Sequence, residues 1–111
     1  MALITKYLEH LNINRNYSEH TITSYENDLR HFEFFVVSEE FAPNLESVRS
    51  ERIARNYVLS ISEEMSKATV ARKISSLRSF YDYLLKEGIV EMNVFTLITI
   101  PKLTNKLPRI I

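Results

Sequence analysis

The chain has 111 residues, enough for a single domain that buries roughly 65% of the surface its unfolded form exposes. Its 14 Lys/Arg and 14 Asp/Glu cancel, which removes any global electrostatic case for a polyanionic partner, and zero cysteines exclude disulfides and thiol nucleophiles. One glycine and three prolines supply few turns for a β-rich chain of this size, so the expected fold class is all-α.

The first predicted helix is "ALITKYLEHLNI", with Leu3, Tyr7, Leu8 and Leu11 on one face. Its charges are scattered and no apolar run nears the ~20 residues of a membrane span, so neither a leader nor a membrane segment is expected. A cytoplasmic protein is the expectation. Asn12 to Tyr17 break the helix, and Ser18 is placed to cap a second one running to about Ser38 on the stripe Ile22, Tyr25, Leu29, Phe32 and Val36. Phe34 and Phe35 widen that stripe, which predicts that neighbouring elements wrap the C-terminal half of this helix. A connection marked by Pro43 leads to a third helix, "ERIARNYVLSIS", with Ser47 or Ser50 as its cap. The fourth starts at Ser66, turns Val70, Ile74, Leu77, Tyr81 and Leu84 inward, and ends at Gly88. "NVFTLI" is expected to add a short helix, making a compact orthogonal or bundle-like arrangement of four to five helices. From Pro101, "PKLTNKLPRII" reads as an extended strap.

The second and fourth helices are built to one plan. At a constant offset of 48, Ser18, Thr21, Leu29, Arg30 and Phe32 match Ser66, Thr69, Leu77, Arg78 and Phe80. Charge is divided along the chain: residues 1–65 hold six Lys/Arg against eleven Asp/Glu, and residues 66–111 hold eight against three. A neutral protein with a basic half can still dock on DNA by that half.

Opposite its stripe, the second helix is expected to present His20, Thr23, Ser24, Asn27 and His31. The fourth is expected to present Ala68, Arg72, Ser75, Ser76 and Ser79, with Lys67, Thr69 and Lys73 on the flank. Small residues let a backbone approach a duplex closely; Arg, Asn and Lys reach base edges, and hydroxyls and free N–H groups hold phosphates. The same pattern also fits a merely solvated face. Arg30 and Arg78 are expected to pair with carboxylates or shield the aromatics. His10, His20 and His31 lack metal-site spacing, one glycine cannot make a phosphate loop, and no tyrosine has Arg and His clustered around it. No cofactor, metal, small-molecule ligand or active site is expected in this chain.

In order and spacing, Ser18-x-x-Thr21-x-x-x-Tyr25-x-x-Asp28-Leu29-x-x-Phe32, Thr69-x-x-Arg72-x-x-Ser75-x-Leu77-Arg78-x-Phe80-Tyr81, Gly88, Asn93 and Pro101-Lys102…Leu107-Pro108 resemble one family. It is the N-terminal core-binding domain of tyrosine site-specific recombinases, of the phage-integrase and Xer type. The resemblance implies a helical SAM-like domain at 1–100 that clamps one face of a double-stranded recombination half-site. Residues 101–111 would link it to a catalytic domain that carries the tyrosine nucleophile and assembles with other protomers on DNA. Carried over by position, the implied DNA contacts are His20, Thr21, Ser24 and Asn27 on one helix. On the other they are Lys67, Thr69, Arg72, Lys73 and Ser76, with Lys102 and Lys106 on the strap. Val94 departs from the family's pattern, which has proline after the asparagine, and the net charge is less basic than a strong clamp suggests. The alternative is a protein-interaction bundle with its contact near Phe34–Phe35 or Ile98–Ile100. A helix-turn-helix regulator is disfavoured, because a whole helix separates the twin helices.

Overall fold

A computed structural model describes residues 2–101. Four helices carry the fold: α1 (Ala2–Ile13), α2 (Glu19–Ser38), α3 (Glu51–Ser62) and α4 (Lys67–Lys86), with a 3-10 turn at Leu45–Ser47. All four match their sequence expectations. Of the two serines that could cap α3, Ser50 does so, accepting from the Arg52 N–H at 3.1 Å. Asn44 caps the 3-10 turn by accepting from the Ser47 N–H at 3.0 Å.

The duplication extends to both ends of the twin helices, each 20 residues long. Gly88 leaves α4 at φ 74°. Its N–H donates to the Leu85 carbonyl, and the Ile89 N–H to the Leu84 carbonyl. Glu40, 48 positions earlier, leaves α2 at φ 62° with the same two bonds, Glu40 to Val37 and Phe41 to Val36. Both helices therefore end in a Schellman motif. Left-handed backbone costs a residue with a Cβ about 1 kcal/mol or more, and glycine almost nothing. Glu40 is exposed, so Glu40→Gly should stabilise the domain by about 0.5–1 kcal/mol in urea melts. An unchanged or lowered midpoint would contradict this account of the cap.

The core lies where α2, α3 and α4 converge on Phe32. Its ring meets Tyr57 of α3 edge-on at 4.8 Å and Phe95, beyond α4, at 5.2 Å. On the other side of α4, Tyr7 of α1 meets Phe80 edge-on at 5.2 Å. The buried tyrosine hydroxyls all have partners: Tyr7 with Ser79 Oγ at 2.8 Å, Tyr57 with His31 Nδ1 at 2.7 Å, and Tyr81 donating to the Leu45 carbonyl at 2.6 Å. Burial raises the pKa of each, Tyr7 to about 12, so all three hydroxyls stay protonated at neutral pH.

The expected short helix "NVFTLI" is not formed. Residues 94–97 are turns: side chains take up the Phe95 N–H and carbonyl, and the backbone bonds that remain close three-residue turns and do not continue a helical ladder. Asn93 Oδ1 accepts from the Phe95 N–H at 2.9 Å, and the Asn93 carbonyl accepts from the Thr96 N–H at 3.1 Å. Val94 thus sits at the second position of a turn, a position that proline also favours. Arg78 fastens this segment to α4, donating from Nε to the Phe95 carbonyl at 3.1 Å and from Nη2 to the Ile98 carbonyl. Arg30 does pair with carboxylates, Glu26 and Glu33, whereas Arg78 binds carbonyls. The expected wrapping of α2's C-terminal half holds for Phe35, against Tyr57 and Phe41, but not for Phe34, which is 72% exposed. The strap from Lys102 onward lies outside the described residues, Lys106 included.

Candidate nucleic-acid interface

The first turns of α2 and α4 are near copies in their side-chain hydrogen bonding. Ser18 Oγ accepts from the Thr21 N–H at 3.2 Å and donates to Thr21 Oγ1 at 3.0 Å. Ser66 does the same with Thr69 at the same two distances. Both capping residues hold extended backbone, with φ −68° and ψ near 160°. The cap occupies one of the four N–H groups that a helix start leaves unpaired within the helix, and the dipole favours an anion beside the others. Around these turns His20, Asn27 and Lys67 are exposed, and Thr21, Ser24 and Thr69 are half-buried.

The two helices are joined by a buried ionic cluster. Asp28 of α2 is 0% exposed. Its Oδ2 accepts from Arg72 Nε at 3.2 Å and from Ser76 Oγ at 2.8 Å, and its Oδ1 from Arg72 Nη2 at 2.7 Å and Lys73 Nζ at 3.1 Å. Burial alone would raise the Asp28 pKa; the hydrogen bonds from Arg72, Ser76 and Lys73 outweigh it and hold the carboxyl below the usual carboxylate range. The bond from Asp28 in turn raises Arg72, so the guanidinium stays charged. Asp28 and Ser76 occupy equivalent positions of the repeat, each ten residues beyond its capping serine. The helices therefore meet at matched heights. At 1.5 Å per residue, both N-terminal turns stand about 15 Å from the meeting point.

The description "phage integrase, N-terminal SAM-like domain" matches residues 4–88. The chain belongs to this family. The chain is 42% identical over 105 residues to a protein named tyrosine recombinase XerC from Listeria innocua, covering 94% of this chain and 34% of that protein. It is 41% identical over 106 residues to the XerC of Halalkalibacterium halodurans, covering 95% and 34%. With the XerC of Pelobacter propionicus the figures are 34% over 108 residues, covering 97% and 36%. The chain thus spans about a third of the length of these curated relatives. No solved structure matches it significantly.

Four placements expected on the polar faces of the chain are corrected. Ser76, expected opposite the apolar stripe, is buried at 2%, and Lys73, expected on the flank, at 7%, because both turn inward to Asp28. Ser79 is half-buried on the Tyr7 hydroxyl. His31, expected outside, is half-buried against Tyr57; desolvation and then Lys73 push its pKa down, so it stays neutral. Arg72 keeps its place at the surface, its side chain 51% exposed.

The residue missed as a functional element is Asp28. Its position, three after Tyr25 and four before Phe32, is on the apolar stripe. Lys73, three after Val70 and four before Leu77, is on the matching one. One acid and one base on facing apolar stripes was the available signal. Among the described residues no group of His, Asp and Glu is arranged to hold a metal, and no helix is long and apolar enough to cross a membrane.

Proposed function

We propose that this chain is a duplex-DNA-binding module of a site-specific tyrosine recombinase, with the N-terminal halves of α2 and α4 seated in the major groove. One observation carries the reading: two near-identical capped helix starts, each about 15 Å along its helix from the crossing at Asp28 and Ser76, with exposed polar side chains beside them, a pattern that suits phosphate and base contacts. Thr21, Ser24 and Thr69 hold phosphates with the free N–H groups, Lys67 adds charge, and His20, Asn27 and Arg72 face the bases. Lys73 and Ser76 serve from behind, by holding Asp28. The rest of a longer parent supplies DNA cleavage and rejoining, reached through a linker at 101–111 whose Lys102 and Lys106 lie along phosphates. Other protomers join on the DNA, in the cytoplasm.

The test is fluorescence anisotropy of this chain with a mixed-sequence duplex across a salt series. Weak binding in the range of about 10⁻⁴–10⁻⁶ M is expected, with log affinity falling linearly in log salt. Lys67→Ala should make the slope shallower by about one. Salt-independent binding would sink the reading. A protein-contact role is favoured by a separate observation, the outward Phe34 and half-exposed Val37 at the other end of α2. At its other suggested patch, Ile98 is buried while Ile100 is half-buried and Leu97 is exposed. Self-association with no DNA binding would favour that role.

A further inference from the structure

We propose that Arg72 is a specificity-determining residue that reads a guanine edge, held in its reading posture by Asp28 as a positioning residue. The inference rests on the DNA-binding reading and deepens it. Asp28 engages the guanidinium side-on, through Nε and Nη2. A guanidinium has five N–H donors in a planar fork, so this grip leaves the end-on pair, one N–H from each terminal nitrogen, unused. Among the described residues Nη1 has no hydrogen-bond partner, and half of the side chain is in solvent. That free pair has the spacing of the O6 and N7 acceptors of guanine in the major groove.

Two further features fit a reader better than a structural ion pair. A lone Asp–Arg pair is neutral and offers a polyanion little. Here Lys73 also bonds Asp28 from the buried side, so the triad carries one net positive charge and its solvent-facing member is Arg72. The grip also freezes a long side chain before any ligand arrives, which removes ordering entropy from binding and narrows the base it accepts. Arg72 lies six residues past the cap of α4, in the N-terminal part of the helix where base contacts are made in groove-bound helices.

The experiment is selection of duplexes from a random pool by the immobilised chain at low salt, read by sequencing, for the parent and for Arg72→Lys. Lysine keeps the charge and loses the fork. Because Arg72 is half exposed and Lys73 still holds Asp28, the variant folds, which circular dichroism checks. The expected result is a guanine enriched by roughly 5- to 150-fold at one position for the parent and lost in R72K. The salt slope of binding to unselected duplex should be retained in R72K, since lysine keeps the charge. Identical selected sequences for the two proteins, or no guanine preference in the parent, would overturn the assignment and leave DNA binding standing. No binding of either protein to any duplex would overturn the DNA-binding reading and this inference with it.

Discussion

Asp28→Ala should cost the domain about 3–5 kcal/mol in a urea melt, because it strands the Lys73 ammonium in the core. Against a total of about 5–15 kcal/mol for a domain of this kind, that is a large share. Arg72 escapes the penalty, since its half-exposed side chain can turn to water. The loss is therefore specific to Lys73, and D28A combined with Lys73→Met should recover most of it. Failure of the second substitution to rescue the first would refute this. The pH dependence has a definite sign. The folded carboxyl titrates below its ordinary value of 3.8, so the unfolded chain takes up the proton first. The contribution is complete above that value and drains away as pH falls through the folded pKa. The D28A melt should lack this acid-side slope.

Phe32→Ala should be of similar size, about 3–5 kcal/mol, and toward the upper end of it. Its ring is fully buried and meets Tyr57 and Phe95 edge-on, contacts that add to the burial term. The damage should also have a location. Phe95 belongs to the turns after α4, so the amides of Phe95, Thr96 and Ile98 should exchange hydrogen faster in F32A than the general loss of stability explains. Uniform acceleration across all four helices would show that Phe32 does not tie that segment down.

Much of this architecture is readable from local pattern. Steps of three and four among Ile22, Tyr25, Leu29, Phe32 and Val36 set the buried face of α2, and hydroxyls at Ser18, Ser50 and Ser66 mark where helices start. What pattern does not give is contact between distant residues. Ser76 looks like any exposed serine until Asp28, 48 positions away, lies opposite it. The left-handed Glu40 is hidden for another reason: glutamate carries no turn signal, and only its register with Gly88 betrays it. At the candidate interface, residues whose environment is set by their own helix turn, such as Lys67 and Asn27, stand at the surface as expected. Lys73 and Ser76 do not, because their environment is set by the partner helix.

The Asp28 cluster also bears on how a growing chain reaches this fold. Synthesis delivers the carboxylate first and its three donors more than forty residues later. Until Ser76 has left the ribosome, α1 and α2 can associate only with that anion kept wet. The final compaction therefore waits for the second twin helix, and truncated or stalled products stay open to proteolysis.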